Sequence, residues 1–306
     1  MNLPQPINER LGSTLAALRR TVAVSFEFFP PGDAQMEETL WRSVERLAPL
    51  RPRFVSVTYG ADGSTRERTH RVVTRVLRET TLTPAPHLTC IGADRESVLD
   101  IAREYWRAGV RHLVALRGDP PAVEGAGSQG AVPYQPHPNG FAHAVDLVRG
   151  LRTVGDFDIS VAAYPETHPQ ARDAAFDLDC LKAKLDAGAS RAITQFFFDT
   201  DAFLRFRERC AANGIRASLV PGILPITRMP QMLRFAARCG ARVPAWLAER
   251  FAGLEEDPDT RRLIAAAFAI GQVETLAREG VEEFHFYTLN RADLTYAICH
   301  ALGVRS

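Results

Sequence analysis

One carboxylate stands among aromatic residues in Ser25-Phe26-Glu27-Phe28-Phe29-Pro30-Pro31. A carboxyl in apolar surroundings costs free energy unless it is paired, protonated or set at a cavity. Side chains alternate across an extended chain. Val22, Val24, Phe26 and Phe28 therefore share one face, and Ala23, Ser25, Glu27 and Phe29 the other. The greasier face would pack against helices. Glu27 is then expected to point inward, beside small residues that leave room for a ligand. There its pKa is expected to be raised, making it a proton donor near neutral pH. The plainer alternative is a carboxylate paired with an interior Arg or Lys.

Other polar residues fall at the ends of β-rich runs: Thr58 and Tyr59; His87 and Thr89; Arg117 and Asp119; Tyr164, Glu166 and His168; Gln195; and Arg291. Each alone is explained as a polar strand end. Together they point to a site at the C-terminal mouth of a barrel. Gly125, Gly127 and Gly130 match G-x-G-x-x-G, but Pro120 and Pro121 intervene after the strand and no amphipathic helix follows directly. That context favours a plain loop over a dinucleotide fingerprint. Arg117-Gly118-Asp119 reads as site residues rather than an adhesion motif. His87 and Cys90 lack a second ligand pair, and there is no H-E-x-x-H, so no metal is expected. Neither a G-x-S-x-G elbow nor a Walker A loop is present.

The elements that must carry these residues alternate. β-rich runs lie at 22–29, 54–58, 86–91, 112–116, 159–163, 192–198, 219–223 and 283–289. Helix-period segments lie between them, at 95–109, 171–188, 200–214 (with Thr200 as N-cap), 229–240 and 258–280. Such alternation implies parallel strands with crossover helices, and about eight units suit an α/β fold of the (β/α)8 TIM-barrel type. A doubly wound open sheet is the alternative. With no Pro/Ser-rich linker, 1–306 reads as a single domain, with an extra helix within 244–280. The Gly/Pro-rich loop 118–140 follows the fourth strand and would sit at the barrel mouth.

Formal net charge is +1, which gives no electrostatic case for nucleic acid or an anionic membrane as partner. Five dispersed cysteines without a C-x-x-C pair suggest reduced thiols and a cytoplasmic protein. No signal-peptide pattern and no membrane-length apolar run are present.

The blocks SFEFFPP, FVSVTYGADGSTRERTH, PHLTCI, HLVALRGDPP, DISVAAYPETHP, DLDCLKAKLDAGASRAITQFFFD, PGILPI and FHFYTLNRA together resemble the bacterial-type 5,10-methylenetetrahydrofolate reductase family, from about Val22 to about Gly303. The resemblance implies a (β/α)8 barrel holding FAD non-covalently. It implies reduction of methylenetetrahydrofolate to 5-methyltetrahydrofolate by NADH or NADPH in a ping-pong cycle that supplies methionine synthesis. It also implies a homo-oligomer.

By motif, Glu27 resembles the family's general acid and Asp119 a residue beside flavin and pterin. The FAD contacts implied are Thr58, Tyr59, Ala61, His87, Arg117, Gly118 and Asp119, then Ala144, Tyr164, His168, Ala171, Asp177 and Lys184. Arg117 and Lys184 would suit the pyrophosphate, and Asp177 a ribose hydroxyl. Gln195, Gln231, Phe235 and Arg291, with Asp119, match positions for folate or nicotinamide. His143, Cys180 and Ala183 depart from the family pattern. No C-terminal regulatory domain is expected, and hence no inhibition by S-adenosylmethionine. Two other readings remain open: a cofactor-free barrel lyase or hydrolase using Glu27 and Asp119, and a non-catalytic folate- or flavin-binding protein.

Overall fold

The computed structural model describes residues 22–59, 66–120, 134–226 and 228–305. Nine parallel strand segments form one sheet: β1 (Ala23–Phe28), β2 (Val55–Val57), β3 (Pro84–Thr89), β4 (His112–Leu116), β5 (Asp158–Ala163), β6 (Arg191–Thr194), β7 (Ser218–Val220), β8 (Gly222–Ile223) and β9 (Glu283–Tyr287). β1 pairs with both β2 and β9, in register Ser25 with His285 and Glu27 with Tyr287. The seventh run of the sequence is split by Pro221. β7 pairs only with β6 and β8 only with β9. Proline has no N–H for a ladder, so the strand breaks there and the barrel is nearly closed.

The helices are α1 (Ala34–Leu47), α2 (Arg66–Glu79), α3 (Arg95–Arg107), α4 (Ala144–Val154), α5 (Ala174–Asp186), α6 (Thr200–Ala212), α7 (Met229–Cys239), α8 (Ala245–Phe251), α9 (Pro258–Arg278) and α10 (Ala292–Ala301). α8 and α9 account for the long helical stretch. The N-cap of α6 is Asp199, whose carboxylate accepts from Asp201 N, and not Thr200. The sixth and eighth strands end at Thr194 and Tyr287, earlier than apolar content alone indicates. The triple phenylalanine that follows Gln195 packs instead of pairing: Phe197 stacks on Phe203 of α6, and Phe196 and Phe198 join a second core with α7, α8 and α9.

Alternation on β1 holds. Phe26 and Phe28 are fully buried in the core between barrel and helices. The inner face is filled in layers, as in barrels of this kind. At the N-terminal end, Arg191 Nη1 bonds Asp158 Oδ2 at 2.9 Å, and Arg53 Nη1 bonds Glu283 Oε2 at 3.1 Å. Above them lies an apolar plug of Phe54, Ala85, Val114, Ile193 and Val220. The catalytic candidates lie above the plug. None of the described helices is long and apolar enough to cross a membrane.

Candidate active site

Glu27 ends the inward face of β1, and Thr288 fixes its backbone: Thr288 Oγ1 donates to Glu27 O at 2.6 Å. Two residues on, Asn290 replaces the sheet ladder that Pro30 interrupts. Its side chain accepts from Phe29 N at 2.9 Å and donates to Phe29 O at 3.0 Å. The carboxylate itself meets two imidazoles. His87 Nε2 lies 3.3 Å and His285 Nε2 3.7 Å from the same oxygen, Oε2. Ser25 Oγ lies 2.8 Å from His285 Nδ1. Ser25 Oγ also reaches Phe284 O at 3.4 Å; in the tautomer whose Nδ1 accepts from the Ser25 hydroxyl, the N–H at Nε2 of His285 faces Glu27.

This corrects two expectations. The space beside Ser25 is not open: Ser25 is fully buried and the His285 ring fills it. The Glu27 carboxyl is not raised. Burial pushes it up, but hydrogen bonds and charge attraction from His285 and His87 outweigh that and bring it down to about 2. The partners are histidines, neither the interior Arg nor the Lys of the alternative reading. Among the described residues no hydrogen bond engages Oε1, and the side chain keeps 11% of its surface exposed at the barrel mouth. Among the described residues, two hydroxyls nearby lack partners: Ser56 Oγ, in register with Glu27, and Thr89 Oγ1 at the end of β3.

A second group gathers over β4 to β6. Gly118 turns the chain out of β4 with φ +86°, and a Cβ there would sit 2.5 Å from Ile91 Cγ2. The turn places Arg117 half-buried and Asp119 exposed, bonded Nη2 to Oδ1 at 3.3 Å. Tyr164 and His168 meet edge to face at 4.5 Å. Between them Thr167 holds φ +92°, rare for a β-branched residue and a mark of a segment shaped by its surroundings. His168 N donates to Asp177 Oδ2 at 2.8 Å. Lys184 Nζ donates to Ala162 O at 2.6 Å. Tyr164, Thr167, Asp177 and Lys184 line one cleft. Burial pushes the Tyr164 phenol up and lowers Lys184 to about 8. A buried ammonium bonded to a carbonyl is under-neutralised, so an anion there would offset its desolvation. The donor set fits a dinucleotide: cations for a diphosphate, and a carboxylate oxygen of Asp177 left over for a ribose hydroxyl.

The remaining candidates are placed less directly. Thr58 and Tyr59 follow β2 half-buried, Ala144 opens α4, and Ala171 N bonds His168 O at 2.9 Å. Gln195 Oε1 accepts from Phe196 N at 3.0 Å. Gln231 and Phe235 lie one turn apart on α7, Phe235 against the second core, and Arg291 is the exposed N-cap of α10. Ala61 lies outside the described residues. Sequence reasoning missed His285, Tyr287 and Tyr134. The first two share the inward face of β9 with Glu283, and alternation in FHFY would have exposed them once β9 was paired with β1.

A parallel α/β barrel with a histidine-held carboxylate at its C-terminal mouth has the architecture of a barrel enzyme, with its site where such barrels carry theirs. The sequence profile described as methylenetetrahydrofolate reductase matches residues 11–303, and the chain belongs to that family. It is 54% identical over 297 residues to the 5,10-methylenetetrahydrofolate reductase of Pectobacterium carotovorum subsp. carotovorum, covering 97% of this chain and 95% of the relative. Against the enzyme of Escherichia coli (strain K12) identity is 51% over 297 residues, with 97% and 96% covered. "Methylenetetrahydrofolate reductase (NADH) 1" of Arabidopsis thaliana is 36% identical, across 92% of this chain and 48% of the plant protein. Among solved structures, a Clostridium thermocellum protein that binds two copies of 5-methyl-5,6,7,8-tetrahydrofolic acid superposes with TM-score 0.58 at 13% identity, covering 96% and 98% of the two chains. That likeness concerns the fold.

Proposed function

We propose that this methylenetetrahydrofolate reductase converts 5,10-methylenetetrahydrofolate to 5-methyltetrahydrofolate through non-covalent FAD, reloaded by NADH or NADPH in a ping-pong cycle. The plant relative named for NADH favours NADH. The product would feed methionine synthesis, in the cytoplasm, from a homo-oligomer. Bound FAD would supply the hydride and accept electrons from the nicotinamide.

The observation that carries the reading is the Glu27 carboxylate, clamped through Oε2 by two imidazoles, with Oε1 left free among the described residues. Opening the methylene bridge needs a proton on the leaving amine, because an unprotonated amine leaves poorly. Glu27 is the group at the mouth able to pass one from Oε1, with His87 and His285 holding the opposite oxygen and sharing its charge. Desolvation is already the largest single influence on this carboxyl, and it acts upward. Ligands closing the opening would add to it and return the carboxyl toward a pKa at which it can donate. Arg117 and Lys184 would hold the diphosphate, Asp177 a ribose hydroxyl, and Thr58, Tyr59, Ala144, Tyr164, His168 and Ala171 would line the cofactor. Asp119, Gln195, Gln231, Phe235 and Arg291 would bound the pocket shared in turn by folate and nicotinamide. Asp119 would hydrogen-bond the pterin.

The test is the variant Glu27→Gln. It should retain FAD and its reduction by NADH, while folate reduction falls by roughly 10²–10⁴-fold or more. A near wild-type folate rate would remove Glu27 as the acid. A colourless protein that gains no activity with added FAD would reject the flavin reading and return attention to cofactor-free chemistry.

A further inference from the structure

Tyr134 belongs to the Gly/Pro-rich stretch 118–140, and the proposed reaction gives it no role. Its ring lies under Arg117, with the guanidinium carbon 4.5 Å from the ring centroid. Its hydroxyl donates to Ala142 O at 2.8 Å. Cys90 Sγ, at the end of β3, lies 4.0 Å from the same hydroxyl, and the His143 ring is 6.2 Å away. One side chain therefore touches the exit of β4 through Arg117 and the segment that opens α4 through Ala142. Ala144, the first residue of α4, is buried two residues beyond that carbonyl.

The other partners of Arg117 leave its orientation under-determined. Nε donates to Gly118 O at 3.1 Å, and Nη2 reaches Asp119, a largely exposed carboxylate, at 3.3 Å. An exposed ion pair holds a long side chain weakly. A guanidinium lying flat on an aromatic face is held in a plane, with its edge N–H groups still free to bond an anion.

We propose that Tyr134 is a positioning residue of the cofactor site: its ring is the shelf that orients Arg117 toward a dinucleotide diphosphate. This rests on the flavin reading above.

FAD binding to the apoprotein, followed by flavin fluorescence, tests it. Tyr134→Leu keeps bulk against Cys90 but removes the aromatic face, and FAD should bind about three- to thirtyfold more weakly, the range of one cation–π contact. Tyr134→Phe restores the face and should recover most of the loss. In an Arg117→Ala background, Tyr134→Leu should change affinity by less than about twofold, since a shelf with nothing to hold does nothing. Wild-type affinity in Tyr134→Leu, or an equal loss with and without Arg117, would overturn the inference and leave the flavin reading intact. Failure of the wild-type protein to bind FAD would overturn both.

Discussion

His87 and His285 reach the same oxygen of Glu27, and the pairing changes what that residue is. Its inward direction was legible from alternation along β1. Its partners were not. His285 lies far along the chain, and only the register of β1 with β9 brings it to Ser25. The apolar neighbours that suggested a raised pKa lie on the opposite face, where they pack against helices. At Lys184, burial outweighs the charge of Asp177 and holds the ammonium at about 8. A diphosphate binds the protonated form, so FAD affinity should be flat below pH 8 and weaken above it, by up to about tenfold per unit. Lys184→Arg should abolish that dependence, because guanidinium stays charged. A wild-type affinity constant from pH 7 to 9.5 would remove Lys184 from the diphosphate.

Among the elements, the broken seventh strand matters most to the site. Thr194 spans the break: its Oγ1 accepts from Gly222 N at 2.9 Å, and its carbonyl accepts from Tyr287 OH at 2.8 Å. The Tyr287 ring lies on Gly222, where a Cβ would come 2.6 Å from the ring and collide with Thr194 O. Gly222→Ala should therefore cost about 1–3 kcal/mol, the range for overpacking, read as a lower urea midpoint. Unchanged stability would show that the seam yields freely. The proline inside an apolar run was a visible warning of this break. The early end of β6 was not visible, because the three phenylalanines after Gln195 read as strand until α6, α7, α8 and α9 exist to receive them. The N-cap of α6 moved by one residue because Asp199 and Thr200 are both competent caps, and Asp199 is the one bonded.

For the molecule as a whole, the buried titratable groups of the barrel interior make acid its weak side. Burial lowers His112 below the ordinary histidine value of 6.5. The unfolded chain then binds a proton that the folded chain refuses, so stability falls as pH drops below about 6.5. Glu27, lowered from 4.5 to about 2, contributes stability that is complete above 4.5 and lost as pH falls toward 2. The two windows join. Urea unfolding between pH 7 and 3 should show a continuous decline, less steep above pH 5 in His112→Asn. An unchanged slope in that variant would exclude His112 as the source of the upper window. The barrel class was legible from strand–helix alternation, because that rhythm is written locally. The interior charge network was not, since Arg53, Asp158, Arg191 and Glu283 meet only once the sheet has curled.

The pairing of β1 with β9 sets an order of assembly. His285 is made long after Glu27, so the carboxylate leaves the ribosome without one of the imidazoles that later hold it. Contacts this distant in sequence form late and slowly. Until β9 pairs, the first strand lacks one of its two neighbours and Glu27 lacks the His285 imidazole. Competence for chemistry therefore arrives with the final strand rather than growing in proportion to length.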